Sequence, residues 1–228
     1  MYRQSMFLFA GLSAAFSAVI WSGPVCADTI VFSNLGPGGA YLNQGTELRS
    51  LEGSSQVVAA EFSPTGNFRL TGLEVALANT GSTDQPNSFT LSLEGQNSSG
   101  LPDGLPFAIF TLNNLPTKVT TIQPSQTLMT TAPVRLLSGE NLWLVANAAS
   151  GGVGRWNENS VGKFGGWAVD TGNGFVLQTS TDPGSNTPAF AVLGTPLTGA
   201  MGVPEPATLG LMVLGLLGAG WSGRKRSI

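Results

Sequence analysis

The sequence predicts an all-β body, an antiparallel β-sandwich of jelly-roll-like form, and three observations lead to that prediction. Short apolar runs recur along residues 28–203 and are separated by turn signals rich in Gly, Pro and Asn. Glycine accounts for 31 of the 228 residues, whereas charged residues make up 10% of them. No stretch of the body has a sustained helical period. The predicted organisation is a signal helix over 1–27, a β domain over 28–200 and a tail over 201–228.

Residues 1–27 have the pattern of a Sec signal peptide. Arg3 supplies the positive end, a long apolar stretch follows, and Ala27 fits the small-residue rule for cleavage. This pattern predicts export through the Sec translocon and cleavage between Ala27 and Asp28. Lipid modification of Cys26 is the alternative. Cleavage after Ala27 removes the one cysteine of the chain, and the mature protein then has neither disulfides nor thiol chemistry.

In the first half of the body, apolar residues alternate with polar ones on both sides of a turn or loop. The turn 63–67 precedes an alternating segment, 68–77, whose phase changes at Gly72, which indicates a β-bulge. Segment 89–94 predicts a strand with its Phe and two Leu side chains directed inward. A Gly/Pro-rich loop is expected over 97–106.

The second half of the body continues in the same way. A strand is expected over 107–112. Segment 142–146 is apolar on both faces, which favours a central strand. The last two strands are expected over 175–178 and 189–193.

The C-terminal tail has three parts in a fixed order: Pro204-Glu205-Pro206, an uncharged apolar run over 207–221, and the basic cluster Arg224, Lys225 and Arg226. As a helix, the run would span roughly 22 Å, which is less than the roughly 30 Å hydrocarbon core of a bilayer. The basic cluster stops translocation and places this end in the cytoplasm. These features predict a short transmembrane helix.

This ordered tail resembles the PEP-CTERM sorting signal of Gram-negative bacteria that make exopolysaccharide. In that family an exosortase, a membrane-embedded cysteine transpeptidase, is thought to recognise the Pro-Glu-Pro motif and process the chain nearby. The resemblance implies a transient stay in the inner membrane, followed by the cell surface or the extracellular matrix. An ordinary single-pass tail is the alternative.

The body also resembles the "choice-of-anchor" domains, which are β-rich bacterial surface domains that precede different anchors. Four segments carry the likeness: 68–77, 100–102, 142–146 and 154–157. Within that family the body resembles the R-type group, and the likeness covers 30–193. That family has no assigned activity, so the resemblance implies an anchored surface domain without implying a reaction.

The charge of the body limits its partners. Residues 28–203 contain six Lys/Arg and twelve Asp/Glu, a net charge of −6, and lack a basic run. Nucleic acid is excluded as a partner because phosphate binding needs clustered basic residues. No segment of the body predicts attraction to anionic lipid, so membrane contact is expected only through the tail.

The residue types that are missing exclude most catalytic arrangements. The chain has no His, and the mature form is expected to have no Cys, so Ser-His-Asp and Cys-His sites and His/Cys metal sites are excluded. No nucleotide-binding glycine motif precedes a predicted helix, so a nucleotide site is not expected. We therefore expect a non-enzymatic protein without a cofactor, with a structural or adhesive role in the envelope or exopolysaccharide matrix.

Two carbohydrate-directed alternatives stay open. A glycosidase needs only two carboxylates, for which Glu158 is the best candidate and Asp170 is merely nearby in the chain. A binding module without catalysis would use Trp156, Asn157 and Trp167, because flat aromatic rings and amides suit sugars. The competing interpretation is a solvated loop with packed tryptophans.

Calcium is the one metal that the composition allows. Four aspartates are expected in loops: Asp84, Asp103, Asp170 and Asp182. They are not grouped in a D-x-D-x-D-G run. Turn geometry is therefore the favoured role of each, and no metal site is predicted.

Overall fold

A computed structural model describes residues 28–116, 126–129, 133–162, 166–178 and 187–197. Over these ranges the chain forms strands and one short 3-10 turn, Pro37–Gly39. No helix in them is long and apolar enough to cross a bilayer. The predicted signal helix and C-terminal helix both lie outside the described residues.

The fourteen strands of the described ranges follow one another closely along the chain. They are β1 (Thr29–Ser33), β2 (Tyr41–Leu51), β3 (Ser54–Phe62), β4 (Phe68–Val75), β5 (Leu77–Asn79), β6 (Ser88–Gln96), β7 (Pro102–Asn113), β8 (Gln126–Met129), β9 (Arg135–Leu136), β10 (Leu142–Ala148), β11 (Val153–Asn159), β12 (Trp167–Asp170), β13 (Phe175–Gln178) and β14 (Phe190–Pro196).

The strands form two curled antiparallel sheets. The small sheet has the order β1-β14-β4-β8, with β9 also paired to β4. The large sheet has the order β5-β11-β2-β3-β10-β6-β7, and the β12–β13 hairpin is attached to β3. The all-β, antiparallel prediction is therefore confirmed.

One hydrophobic core contains buried side chains from both sheets. The small sheet contributes Leu73 and Phe190, and the large sheet contributes Leu91, Leu144 and Trp156. In β6 the buried Phe89, Leu91 and Leu93 alternate with side chains directed to the opposite face, because successive Cβ atoms point to opposite sides of a sheet. Burial of this apolar surface is the main driving force for joining the two sheets.

Several strand predictions are confirmed. Phe89, Leu91 and Leu93 of β6 are fully buried. The apolar segment 142–146 lies in β10, which is hydrogen-bonded to β3 on one side and to β6 on the other. The pairing of β14 with β4 shifts between Leu70 and Gly72, so a bulge lies at the position that the sequence indicated.

The Gly/Pro-rich loop is shorter than expected. β7 begins at Pro102, so only 97–101 connects it to β6, and the prediction that a loop extends to 106 is wrong. Asn97 explains the early end of the loop. Its Oδ1 accepts hydrogen bonds from the backbone N–H of Ser99 (2.9 Å) and Leu101 (3.1 Å), and its Nδ2 donates to the Pro102 carbonyl oxygen. Such side-chain bonds close tight turns.

Candidate functional site

The body passes into the tail at one end of the small sheet. β14 ends at Pro196, and the Leu197 N–H donates a 2.8 Å hydrogen bond to the Asn67 carbonyl oxygen. Thr29, the first residue of β1, pairs with Gly194 near the end of β14. Because the two strands are antiparallel neighbours, the N-terminal and C-terminal ends of the body leave it side by side.

Of the predicted sorting and cleavage residues, the structure describes only Asp28. Ala27, the motif Pro204, Glu205 and Pro206, and the basic cluster Arg224, Lys225 and Arg226 lie outside the described residues. Asp28 is the first described residue and is exposed, one residue before β1. The structure therefore describes the end of the body that precedes the tail, but not the sorting motif itself.

Trp156 does not lie in a loop and does not offer its ring to a ligand. It belongs to β11, is 0% exposed and packs edge-on against Phe190 with ring centroids 5.9 Å apart. Its Nε1 donates a 3.0 Å hydrogen bond to the Ala189 carbonyl oxygen. The prediction of a glycan contact at Trp156 is wrong, because the ring is part of the core between the sheets.

Asn157 is also buried, as part of a polar cluster that joins β11 to the start of β14. Its backbone carbonyl accepts a 2.8 Å hydrogen bond from the Ala189 N–H. Its neighbour Asn159 donates from Nδ2 to Thr187 Oγ1 at 2.9 Å, and Asn34 donates to the Pro188 carbonyl oxygen at 2.8 Å. The bonded side chains of Asn34 and Asn159 fix the position of these strands, and Asn157 is too deeply buried for a sugar to reach it.

The other carbohydrate candidates also have structural surroundings. Trp167 in β12 is half-buried and packs against the main core. Glu158 Oε2 accepts a 2.9 Å hydrogen bond from Gln44 Nε2. Asp170 Oδ1 accepts bonds from the backbone N–H groups of Gly172 (2.7 Å) and Gly174 (2.9 Å), which holds the β12–β13 turn. Each of these two carboxylates therefore has hydrogen-bond partners within the body.

Of the described aspartates, Asp170 holds the hairpin turn, whereas Asp103 lies in β7 and not in the loop that the sequence predicted. Asp103 Oδ1 accepts a 2.9 Å hydrogen bond from the Leu105 N–H. Asp84 is exposed between β5 and β6. Within the described ranges no three His, Cys, Asp or Glu residues form a group that could hold a metal. Asp182 lies outside those ranges.

A cluster that the sequence did not reveal surrounds Trp143. Trp143 is fully buried, but on the face of the large sheet that points away from the main core, with Ala59, Val145 and Ala168. It pairs with Glu61 on one side and with Glu94 on the other. Periodicity could not show this cluster, because its members come from four strands that are distant in sequence.

Hydrogen bonds occupy both carboxylates beside Trp143. Glu94, which is 6% exposed, accepts from Ser92 Oγ (2.7 Å) and from the Gly104 N–H (3.0 Å). Glu61 Oε1 accepts from Gln96 Nε2 at 3.2 Å. These bonds attach the start of β7 and the end of β6 to the sheet, so the cluster has a structural function.

Glu61→Gln is expected to stabilise the fold at neutral pH. Burial raises the pKa of the Glu61 carboxyl, and the Gln96 hydrogen bond offsets part of that rise. Because the Glu61 pKa is higher in the folded state than in the unfolded state, this group contributes its full stabilisation of the fold below the unfolded-state pKa. That stabilisation is lost as the pH rises through the folded-state pKa. The melting temperature of the variant should exceed that of the wild type at pH 7, and the difference should vanish in acid.

Glu52→Gln, in the exposed β2–β3 turn, is the matched control and should follow the wild type at every pH. Parallel melting curves of wild type and Glu61→Gln across the pH range would contradict this explanation. Thermal unfolding followed by circular dichroism provides the measurement.

In the sequence, the all-β body is followed by the apolar, basic-ended tail. The tail matches a family model described as the PEP-CTERM protein-sorting motif over residues 202–226. This motif marks the chain as exported and targeted to an exosortase. Among curated proteins, none matches the chain.

Proposed function

We propose that this chain is an exosortase-sorted surface or matrix protein, in which the β body is the delivered domain and the tail is the sorting signal. The observation that carries the proposal is the sorting motif over 202–226, which begins five residues after the last described residue of the body. Pro204 and Pro206 favour extended backbone around Glu205, which leaves the motif readable by a processing enzyme. The span over 207–221 then holds the chain in the inner membrane only until it is processed.

The finer fold assignment, a jelly-roll sandwich, is supported by the strand order. The chain alternates between the sheets, with β1, β4, β8, β9 and β14 in the small one and the intervening strands in the large one. The last strand of the small sheet lies beside the first, and β10 lies between β3 and β6. Double-sheet jelly rolls have two Greek keys with such crossovers. A jelly-roll body agrees with the likeness to choice-of-anchor domains.

The role that we propose for the body is structural or adhesive, without catalysis. The absence of His and the expected absence of Cys from the mature chain support it. Binding of exopolysaccharide as a matrix partner is part of this proposal. The buried positions of Trp156 and Asn157 mean that such binding would use other residues.

Glu205→Ala tests the sorting proposal in a host that has an exosortase. We expect the wild-type chain to reach the surface or the medium, and the variant to accumulate in the inner membrane, because the enzyme loses the central residue of its recognition motif. Immunoblots of cell fractions provide the measurement. Glu52→Ala removes an exposed glutamate from the body and should fractionate as the wild type does. Identical distributions of wild type and Glu205→Ala would contradict the proposal and leave an ordinary membrane anchor.

A further inference from the structure

The outer face of the small sheet carries two arginines that directly oppose each other. Arg69 of β4 pairs with Arg135 of β9, and both are exposed. The adjacent pair, Phe68 and Leu136, points into the core, so the two arginines point outward. Like charges directly opposite each other on neighbouring strands are destabilising. Within the described ranges the one ion pair joins Arg49 to Glu47, so neither arginine has a carboxylate partner there.

An apolar row lies beside this pair on the same face. Ile30 pairs with Leu193, Leu193 with Gly72, and Gly72 with Met129. Ile30 is 63% exposed and Met129 is 62% exposed. Thr195, which pairs with Arg69, is two residues from Leu193 in the same strand, so the basic pair and the apolar row are adjacent. We call Arg69, Arg135, Ile30, Leu193 and Met129 the basic-apolar face.

This face is close to the point where the tail leaves the body. Arg69 pairs with Thr195, and the last described residue is Leu197. The ten residues from there to Ala207 can reach at most about 36 Å. The tail therefore limits how far the basic-apolar face can lie from the bilayer for as long as the apolar run is inserted.

We propose that the basic-apolar face binds anionic phospholipid headgroups while the tail is in the membrane. The inference depends on the proposed function, since the tail brings the body to the bilayer. Guanidinium groups bind phosphate oxygens with paired hydrogen bonds, and exposed apolar side chains enter the headgroup boundary. The net charge of −6 repels the rest of the body from the same lipids, which favours this orientation. Glu74 lies on the same face, farther from the exit of the tail.

No motif in the sequence indicates this contact. The two arginines are 66 positions apart, and neither belongs to a basic run. Only the pairing of β4 with β9 brings them together. The proposal therefore adds a second contact to the one that was expected through the tail.

The test uses the full chain, with Cys26→Ser, reconstituted in vesicles. An environment-sensitive dye is attached through Met129→Cys, or through Leu105→Cys on the large sheet, where Leu105 is 73% exposed. The dye at position 129 should shift to a less polar environment in phosphatidylglycerol vesicles but not in pure phosphatidylcholine vesicles. The dye at position 105 should change in neither. Raising the salt should weaken the shift, since screening shortens the range of charge attraction.

The double variant Arg69→Gln/Arg135→Gln should lower the ratio of membrane-contacting to free body roughly 30-fold, at about 1 kcal/mol for each arginine. Arg49→Gln/Arg155→Gln removes the same charge from the large sheet and should preserve the shift. An unchanged signal at position 129, or a shift that survives the Arg69/Arg135 substitutions, would overturn the inference. A shift produced equally by soluble polyuronate without vesicles would also overturn it and indicate a polysaccharide site.

Flotation of the chain with the vesicles separates the two levels of the proposal. A chain that floats while the dye at position 129 does not respond refutes the lipid contact alone. A chain that fails to float with either vesicle type contradicts membrane insertion of the tail, and with it the proposed function and this inference.

Discussion

Replacing Trp156 by alanine is expected to lower the free energy of unfolding by about 3–5 kcal/mol. The ring is fully buried between the two sheets and packs against Phe190. Its removal leaves a cavity, and it also deprives the buried carbonyl of Ala189 of the 3.0 Å hydrogen bond from Nε1. Urea unfolding followed by circular dichroism measures the loss.

Two further variants divide this effect into its parts. Trp156→Phe keeps much of the ring volume but removes the hydrogen bond, and its loss should be smaller. Trp167→Ala removes a half-buried tryptophan at the edge of the core and should also cost less. A stable Trp156→Ala variant with reduced glycan retention would contradict the core assignment and restore the binding-site interpretation.

Gly45→Ala is expected to have the second largest effect, near the upper end of about 1–3 kcal/mol or beyond it. Gly45 of β2 pairs with Asn157 of β11. An added Cβ would overlap the backbone carbonyl oxygen of Trp156 and lie 2.7 Å from the Asn157 Cα. Backbone atoms cannot rotate away as a flexible side chain can, so the two strands would have to separate.

Gly66→Ala is the matched control for this substitution. An added Cβ there meets only the ring of Phe68, at 3.2 Å, which can give way. Its free energy of unfolding should stay within about 0.5 kcal/mol of the wild type. Equal stabilities of Gly45→Ala and Gly66→Ala would show that β2 and β11 are not paired in this register.

The strands that could be predicted from the sequence are those with local alternation. In β6 and β10 the apolar residues mark the buried face directly, and Gly72 marks the bulge in β4. β11 was missed because Asn157 and Asn159 read as loop residues. They bond to Thr187 and Ala189, about 30 residues away, and no local pattern reports those bonds.

The functional regions divide in the same way. The sorting motif is a linear signal. Its residues are adjacent in the chain, so the motif could be predicted from the sequence without knowledge of the fold. The opposed Arg69 and Arg135, and the Glu61–Trp143–Glu94 cluster, exist only because strands distant in sequence become neighbours. Aromatic and acidic residues close together in sequence pointed to a glycan site at Trp156, but strand geometry turned that ring inward.

The central claim, that the tail is a processed sorting signal, is tested most directly by the intact mass of the protein recovered from the cell surface or medium. We predict a chain that begins at Asp28 and has lost Arg224, Lys225 and Arg226 through processing near Glu205. The Glu205→Ala variant should keep those three residues and stay in the membrane fraction. A recovered wild-type protein that still carries the basic cluster, with the same mass as the variant apart from the substitution, would contradict the claim.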